Sequence, residues 1–315
     1  MIGRLCACLL GSATFAAAEP LSLAFPVDCT LGETCYIQQY VDHDPGPGAR
    51  DFTCQGLSYD GHKGTDFGLP SHEAMAAGVT VRAAAPGEVR GMRDGVADRV
   101  YAGQDLGGQD CGNGVAITHA DGWETQYCHM KQGSIAVTPG QQVAAGTPLG
   151  QIGLSGRTQF PHLHLTLRHE GVVVDPFAPE GAESCGSEQT LWETPIAYRP
   201  GGILSLGFAT RVPSLDAVAE GSADDLPPRR DTALVGYGYG FGARAGDILR
   251  IVIDGPEGQV IAHDARIEKA QTTLFRAAGR KAQARGWPAG AYRLSVTLLR
   301  GAEVIDSRGT AITLP

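Results

Sequence analysis

A basic face of the kind that grips a phosphate backbone is missing from this 315-residue chain: 25 lysines and arginines stand against 34 aspartates and glutamates, for a formal net charge of -9. Nucleic acid is therefore excluded as a partner. Long apolar runs are equally scarce. The only uncharged stretch near the start, residues 5–18, falls short of the roughly 20 helical residues that cross a bilayer, and no later segment is apolar enough, so no membrane span is expected. No Cys-x-x-Cys pair occurs, which argues against a cysteine zinc site or a dithiol redox centre. His72-Glu73 and His169-Glu170 lack the second histidine of a His-Glu-x-x-His helix. With 44 glycines and 19 prolines a helix bundle is disfavoured, while 43% hydrophobic residues suffice for a sizeable core.

What is present begins with a leader. One cation, Arg4, precedes the uncharged run, which ends in Ala16-Ala17-Ala18. These are the parts of a secretory signal peptide, and cleavage is expected after Ala18. The mature chain would be exported, to a periplasm or beyond the cell. Cys6 and Cys8 leave with the leader, and lipidation of Cys8 is not expected because almost no leader precedes it. Cys29, Cys35, Cys54, Cys111, Cys128 and Cys185 remain, an even set that allows up to three disulfides in an oxidising compartment. Cys111 and Cys128 flank an expected hairpin, residues 114–118 and 123–127, and are the pair best placed to bond.

The expected fold is mainly β. From about residue 25 to 179, short apolar segments broken by glycine (79–81, 87–89, 115–117, 149–152 and 163–167) read as strands of an antiparallel sheet with long loops at 42–52 and 97–112. Segments 232–236, 248–253, 259–262, 292–299 and 304–312 alternate apolar with polar residues and read as a smaller β-sandwich. The boundaries expected are 1–18 for the signal peptide, 19–187 for the first domain and 188–315 for the second. Residues 201–219 read as either a strand or a linker, and 224–230 as a loop.

Chemistry concentrates in two strings. In Phe160-Pro161-His162-Leu163-His164-Leu165, strand parity turns both imidazoles to one face and both leucines to the other. In Gly61-His62-Lys63-Gly64-Thr65-Asp66, the same parity pairs His62 with Asp66, although four residues of straight strand span about 13 Å and Gly64 would have to bend the chain. Either string alone is commonplace. Together they supply a histidine, a carboxylate and another histidine, three ligands that leave a fourth corner of a zinc site for water. A further histidine, His129, closes the hairpin strand Trp123-Glu124-Thr125-Gln126-Tyr127-Cys128-His129.

Between residues 61 and 176 these strings, with Val81-Arg82-Ala83-Ala84, Gly87-Glu88-Val89, Gly140-Gln141-Gln142-Val143, Leu149-Gly150 and Ser155-Gly156, resemble the lysostaphin/LytM-type zinc metalloendopeptidases, which cut the peptide part of bacterial peptidoglycan. The resemblance implies an antiparallel metallopeptidase domain holding one Zn2+ through His62, Asp66 and His164, with His129 and His162 as unligated catalytic histidines and peptidoglycan peptides as substrate. It leaves open which imidazole is the base and which bond is cut, and nothing in it speaks to oligomeric state. The chain departs from the family's pattern in its long cysteine-bearing 97–112 loop. A relative that binds peptidoglycan or activates another hydrolase without cutting is the alternative, although such a protein would be expected to lose ligands.

Other residues have plainer readings. His119 reads as a hairpin residue near the site, His43, His72, His169 and His263 as solvated, and Arg157 and Arg168 as surface ion-pair partners. Gly236-Tyr237-Gly238-Tyr239-Gly240-Phe241-Gly242 reads as a strand packing its aromatics, with a sugar platform as the lesser reading. Arg276, Arg280, Lys281 and Arg285 read as a solvated basic run.

Overall fold

A computed structural model describes residues 21–182, 185–224 and 226–315. The leader, its cleavage site, Cys6 and Cys8 lie outside the described residues. The architecture is mainly β and antiparallel, as expected. Strands β1 (Tyr36–Gln39), β2 (Thr65–Gly68), β3 (Thr80–Arg82), β4 (Gly87–Arg93), β5 (Asn113–Thr118), β6 (Trp123–Met130), β7 (Gln142–Val143), β8 (Pro148–Gln151), β9 (His162–His169) and β10 (Val172–Val174) make up the first part. Their main sheet runs β1-β2-β9-β6-β5-β4-β7, with β10 on the far end of β9, and β3 pairs β8 separately. A short helix, α1 (His72–Ala77), follows β2 and is capped by Ser71, whose hydroxyl accepts from the Ala74 amide.

Alternation along β9 decides which face does what. Leu163, Leu165 and Leu167 are at most 2% exposed and join Phe67, Val115, Ile117 and Tyr127 in the core. Burying each leucine contributes roughly 1.5–3 kcal/mol, so a slip of one residue, which would put His162, His164 and Thr166 into that core instead, is strongly disfavoured. The register is thereby pinned, and the polar face of the sheet is free to carry chemistry. No helix among the described residues is long and apolar enough to cross a membrane.

The later strands are β11 (Gly202–Ala209), β12 (Leu234–Ala243), β13 (Ile248–Gly255), β14 (Gly258–Arg266), β15 (Gln271–Arg280), β16 (Gly290–Arg300) and β17 (Glu303–Leu314), with helix α2 (Leu215–Glu220) between β11 and β12. They form a three-stranded sheet, β11-β12-β15, facing a four-stranded one, β14-β13-β16-β17. Residues 201–219, ambiguous in the sequence, divide into a strand and a helix. The basic run is partly a strand as well, since Arg276 and Arg280 belong to β15.

The glycine-aromatic alternation in β12 has a packing origin. A Cβ on Gly236 would come 2.7 Å from Leu294 Cδ1, and one on Gly238 2.6 Å from Val296 Cγ1, so glycine lets the two sheets of the sandwich close on each other. The intervening Tyr237, Tyr239 and Phe241 point the other way and are buried in the core of the first part, Phe241 against Tyr36 with ring centroids 4.7 Å apart. They are no platform for a sugar ring.

Three disulfides tie down the loops: Cys29–Cys35, Cys54–Cys185 and the expected Cys111–Cys128.

Candidate metal centre

In the β2–β9 ladder Asp66 stands opposite His164 and Gly68 opposite His162, so the carboxylate and both imidazoles share the polar face. His62 does not continue that strand. The chain turns at residues 59–62, where the His62 amide donates to the Tyr59 carbonyl at 2.9 Å, and the bend at Gly64 carries His62 back over Asp66. Only glycine fits at that bend, because a Cβ would lie 2.6 Å from the Leu165 carbonyl oxygen and 2.7 Å from His164 Nε2.

The result is a compact cluster. His164 Nδ1 lies 2.8 Å from Asp66 Oδ1, His62 Nε2 lies 3.2 Å from the same oxygen, and the two nitrogens are 3.2 Å apart. His62 Nδ1 donates to the Tyr40 carbonyl at 2.7 Å, so the neutral ring presents a lone pair at Nε2. His164 Nε2 meets Thr166 Oγ1 at 3.0 Å, which leaves Nδ1 facing the cluster. Two imidazole nitrogens and a carboxylate oxygen, all of acceptor character and mostly buried, thus converge on one point. Such a donor set fits a divalent cation, and the outer hydrogen bond on each ring fixes its orientation as metal ligands require. Electrostatics point the same way. Burial pushes Asp66 up, but the surrounding imidazoles outweigh it and hold the carboxyl well below its usual range. Burial pushes His62 down, yet the adjoining Asp66 carboxylate leaves it raised. The cluster attracts positive charge.

Two more imidazoles border it. His162 Nε2 is 3.5 Å from Asp66 Oδ1, and its Nδ1 donates to the Phe160 carbonyl at 3.0 Å. His129 Nδ1 donates to the Ser155 carbonyl at 2.8 Å, and its ring centroid lies 4.7 Å from that of His162. Both rings therefore carry their proton on Nδ1 and keep Nε2 as an acceptor. Burial lowers both pKa values, that of His129 well below the ordinary range, where unfavourable interaction with the His162 and His164 rings adds to it. His129 also sits at φ +61°, a left-handed conformation that costs a non-glycine residue on the order of 1–3 kcal/mol. Two backbone bonds hold it there: its N–H donates to the Cys111 carbonyl at 2.8 Å, and its own carbonyl accepts from Gly153 at 3.0 Å.

All five residues singled out in the sequence lie together. His119 does not join them; its ring bonds the Pro86 carbonyl and Thr125 Oγ1 in the hairpin. Arg157 and Arg168 pair with Asp110 and Glu124. Three of the histidines read as solvated are instead engaged: His43 with Asp175, His72 with Glu220, and His169 stacked on Trp123. The sequence reading missed the outer partners, namely the Tyr40 carbonyl, Thr166 and the Ser155 carbonyl. Thr166 alone was discoverable, since it follows His164 by two residues on the same strand face.

The pattern of peptidase family M23 matches residues 60–176, a span that contains all five side chains. Residues 60–176 belong to peptidase family M23. This is the lysostaphin/LytM-type family that the motifs resemble. The M23 segment is similar to the cell division protein DipM of Caulobacter vibrioides, 32% identical over 115 residues, which is 36% of this chain and 18% of DipM. It is similar to the DD-carboxypeptidase/endopeptidase Mpg of Neisseria meningitidis, 33% identical over 117 residues, 36% of this chain and 22% of Mpg. A shorter stretch, 19% of this chain and 16% of the relative, is 41% identical over 68 residues to the protease LasA of Pseudomonas aeruginosa. The chain thus spans about a fifth of the length of the curated relatives it matches.

Proposed function

We propose that the chain is an exported zinc endopeptidase that hydrolyses peptide bonds in peptidoglycan cross-links or stem peptides. The convergence of His62 Nε2, Asp66 Oδ1 and His164 Nδ1 within 3.2 Å of one another, on a face shared with two tethered neutral imidazoles, carries this reading. His62, Asp66 and His164 would hold the zinc. The ion, when bound, supplies Lewis acidity toward water and a peptide carbonyl.

The chain's own residues do the rest. With their Nδ1 protons committed to the Phe160 and Ser155 carbonyls, His162 and His129 begin as bases, and neither can donate from Nε2 until it has first taken up a proton. One of them removes a proton from the attacking water at Nε2. The resulting imidazolium is the acid that returns this proton to the departing amine. Burial, which keeps both rings neutral near pH 7, favours that order of events. Asp66 and the tethered ring of His62 orient rather than react.

A relative of this site that binds peptidoglycan without cutting it would need no proton shuttle, and the retention of both tethered rings favours hydrolysis. Metal analysis of the purified chain, with digestion of sacculi in the presence and absence of chelator and with the His164→Ala variant, tests the proposal. Stoichiometric zinc and fragment release abolished by either perturbation are expected. Zinc-free protein, or release that persists in the variant, would overturn it.

A further inference from the structure

We infer that a recess between the M23 sheet and the sandwich, beside the metal centre, is a subsite for the free carboxylate of a bound peptide, with Arg244 as its anchor. The inference rests on the endopeptidase reading for its choice of a peptide ligand. The recess has a volume of about 450 Å3 and lies between the loop around residues 49–57 and the adjoining ends of β12 and β15. It abuts the reactive face because Gln39, in its wall, is the cross-strand partner of Asp66, and directly opposed residues share a face of the sheet. A peptide lying over the cluster therefore reaches the recess within one strand spacing, about 5 Å.

Its lining is chemically one-sided. Arg244 is the only charged residue among those that line it, so no carboxylate competes for the guanidinium there. The Arg244 side chain bonds Gln55 Oε1 and forms no ion pair among the described residues. A planar guanidinium matches a carboxylate in two parallel hydrogen bonds. Gln39, 6% exposed, and Gln271 on the opposite wall each hold a buried Oε1 that no protein group satisfies.

Both walls are rigid before any ligand arrives. Asp51, fully buried, accepts from the amides of Thr53, Gln55 and Leu57, and the Cys54–Cys185 disulfide holds the same loop. Across the recess Asp247 accepts from the Arg244 amide at 2.8 Å and is itself paired with Arg300 at 2.9 Å. A preformed recess whose only charge is one cation selects a peptide that ends in, or displays, a carboxylate, and is indifferent to a neutral one.

The test uses N-acetyl-D-alanyl-D-alanine and its C-terminal carboxamide as probes. Binding is measured by saturation-transfer NMR to the full chain carrying His164→Ala, which leaves the probes intact. The carboxylate probe is expected to bind at least tenfold more tightly than the carboxamide, and Arg244→Gln added to that chain to remove the difference. Acetate at equal concentration should displace it only weakly. If Arg244→Gln fails to fold, Arg244→Lys, which keeps the charge and loses the paired hydrogen bonds, takes its place, with a smaller, several-fold loss expected. Equal binding of both probes, full displacement by acetate, or retention of the preference in the Arg244→Gln chain would overturn the subsite. The two readings fail separately. Arg244-dependent binding without any hydrolysis by the parent chain would sink the endopeptidase alone; cleavage of sacculi with KM and kcat unchanged by Arg244→Gln would sink the subsite alone.

Discussion

Asp51 offers the sharpest test of how the scaffold supports the proposed metal ligands. Its carboxylate is fully buried and accepts five hydrogen bonds: at Oδ1 from the Thr53 amide (2.9 Å), the Thr53 hydroxyl (2.6 Å) and the Gln55 amide (3.0 Å), and at Oδ2 from the Leu57 amide (3.1 Å) and the Tyr198 hydroxyl (2.7 Å). In Asp51→Asn, an orientation that keeps the Oδ1 bonds turns the new amide toward Oδ2's partners. The Tyr198 hydroxyl can rotate and accept, but the buried Leu57 amide is stranded, at a cost of about 2 kcal/mol. Asp51→Ala strands the Leu57 amide and leaves the other four donors to water, which raises the expected loss to about 4 kcal/mol. At roughly 2–4 °C per kcal/mol for a domain of this size, calorimetry should find drops of about 4–8 °C for the asparagine and about twice that for the alanine. The same loop reaches the metal cluster: the Tyr40 amide donates to the Leu57 carbonyl at 2.8 Å, and the Tyr40 carbonyl accepts from His62. Loss of such an outer support weakens metal binding by about 10–100-fold, readable by competition with a chromophoric chelator. An alanine variant that melts within about 2 °C of the parent and binds zinc as tightly would refute the reasoning.

Gly64→Ala should fold poorly or lose metal, because the Leu165 carbonyl that its Cβ would meet is backbone and cannot move aside; a variant with unchanged zinc content and melting temperature would contradict the assigned close approach. Paired Cys111→Ser and Cys128→Ser substitutions open a loop of 17 residues, with an expected loss of about 3 kcal/mol by denaturant titration and a fall in activity as His129 loses its tether. In zinc-free protein His129 has a depressed pKa, so its contribution to stability is complete above the ordinary histidine range near 6.5 and is lost as pH falls through the lowered value; a pH series of denaturation midpoints should flatten in His129→Gln. His62 titrates above its ordinary value in the same zinc-free state, so below that point zinc must displace a proton and its apparent affinity should fall about tenfold per pH unit. A zinc affinity independent of pH between 5 and 7 would be inconsistent with His62 facing the ion.

Much of the fold was legible because the first part obeys a period of two. Leu163, Leu165 and Leu167 point inward and His162 and His164 outward, and any reader of the strand can see it. The convergence of His62 with Asp66 was visible only as a requirement that the chain bend, since parity treats residues 62–68 as one strand while the Leu165 carbonyl and the His164 ring crowd Gly64. Strand β15 escaped notice because its residues alternate weakly: Phe275 and Ala277 pack toward the first core and Leu274 and Ala278 toward the second, so both faces are semi-apolar. Support from backbone carbonyls, such as those of Tyr40 and Ser155, leaves no mark in a sequence at all, since every residue carries one.

The sheet formed by β11, β12 and β15 has apolar company on either side, one side belonging to the sandwich and the other to the first part of the chain. A chain cut after residue 187 would lay bare the surfaces against which Tyr237, Tyr239 and Phe241 rest, and the severed sandwich would present those rings to solvent. Neither fragment is built for solitude. Grafting either half onto a foreign protein would first require repainting that seam with polar side chains.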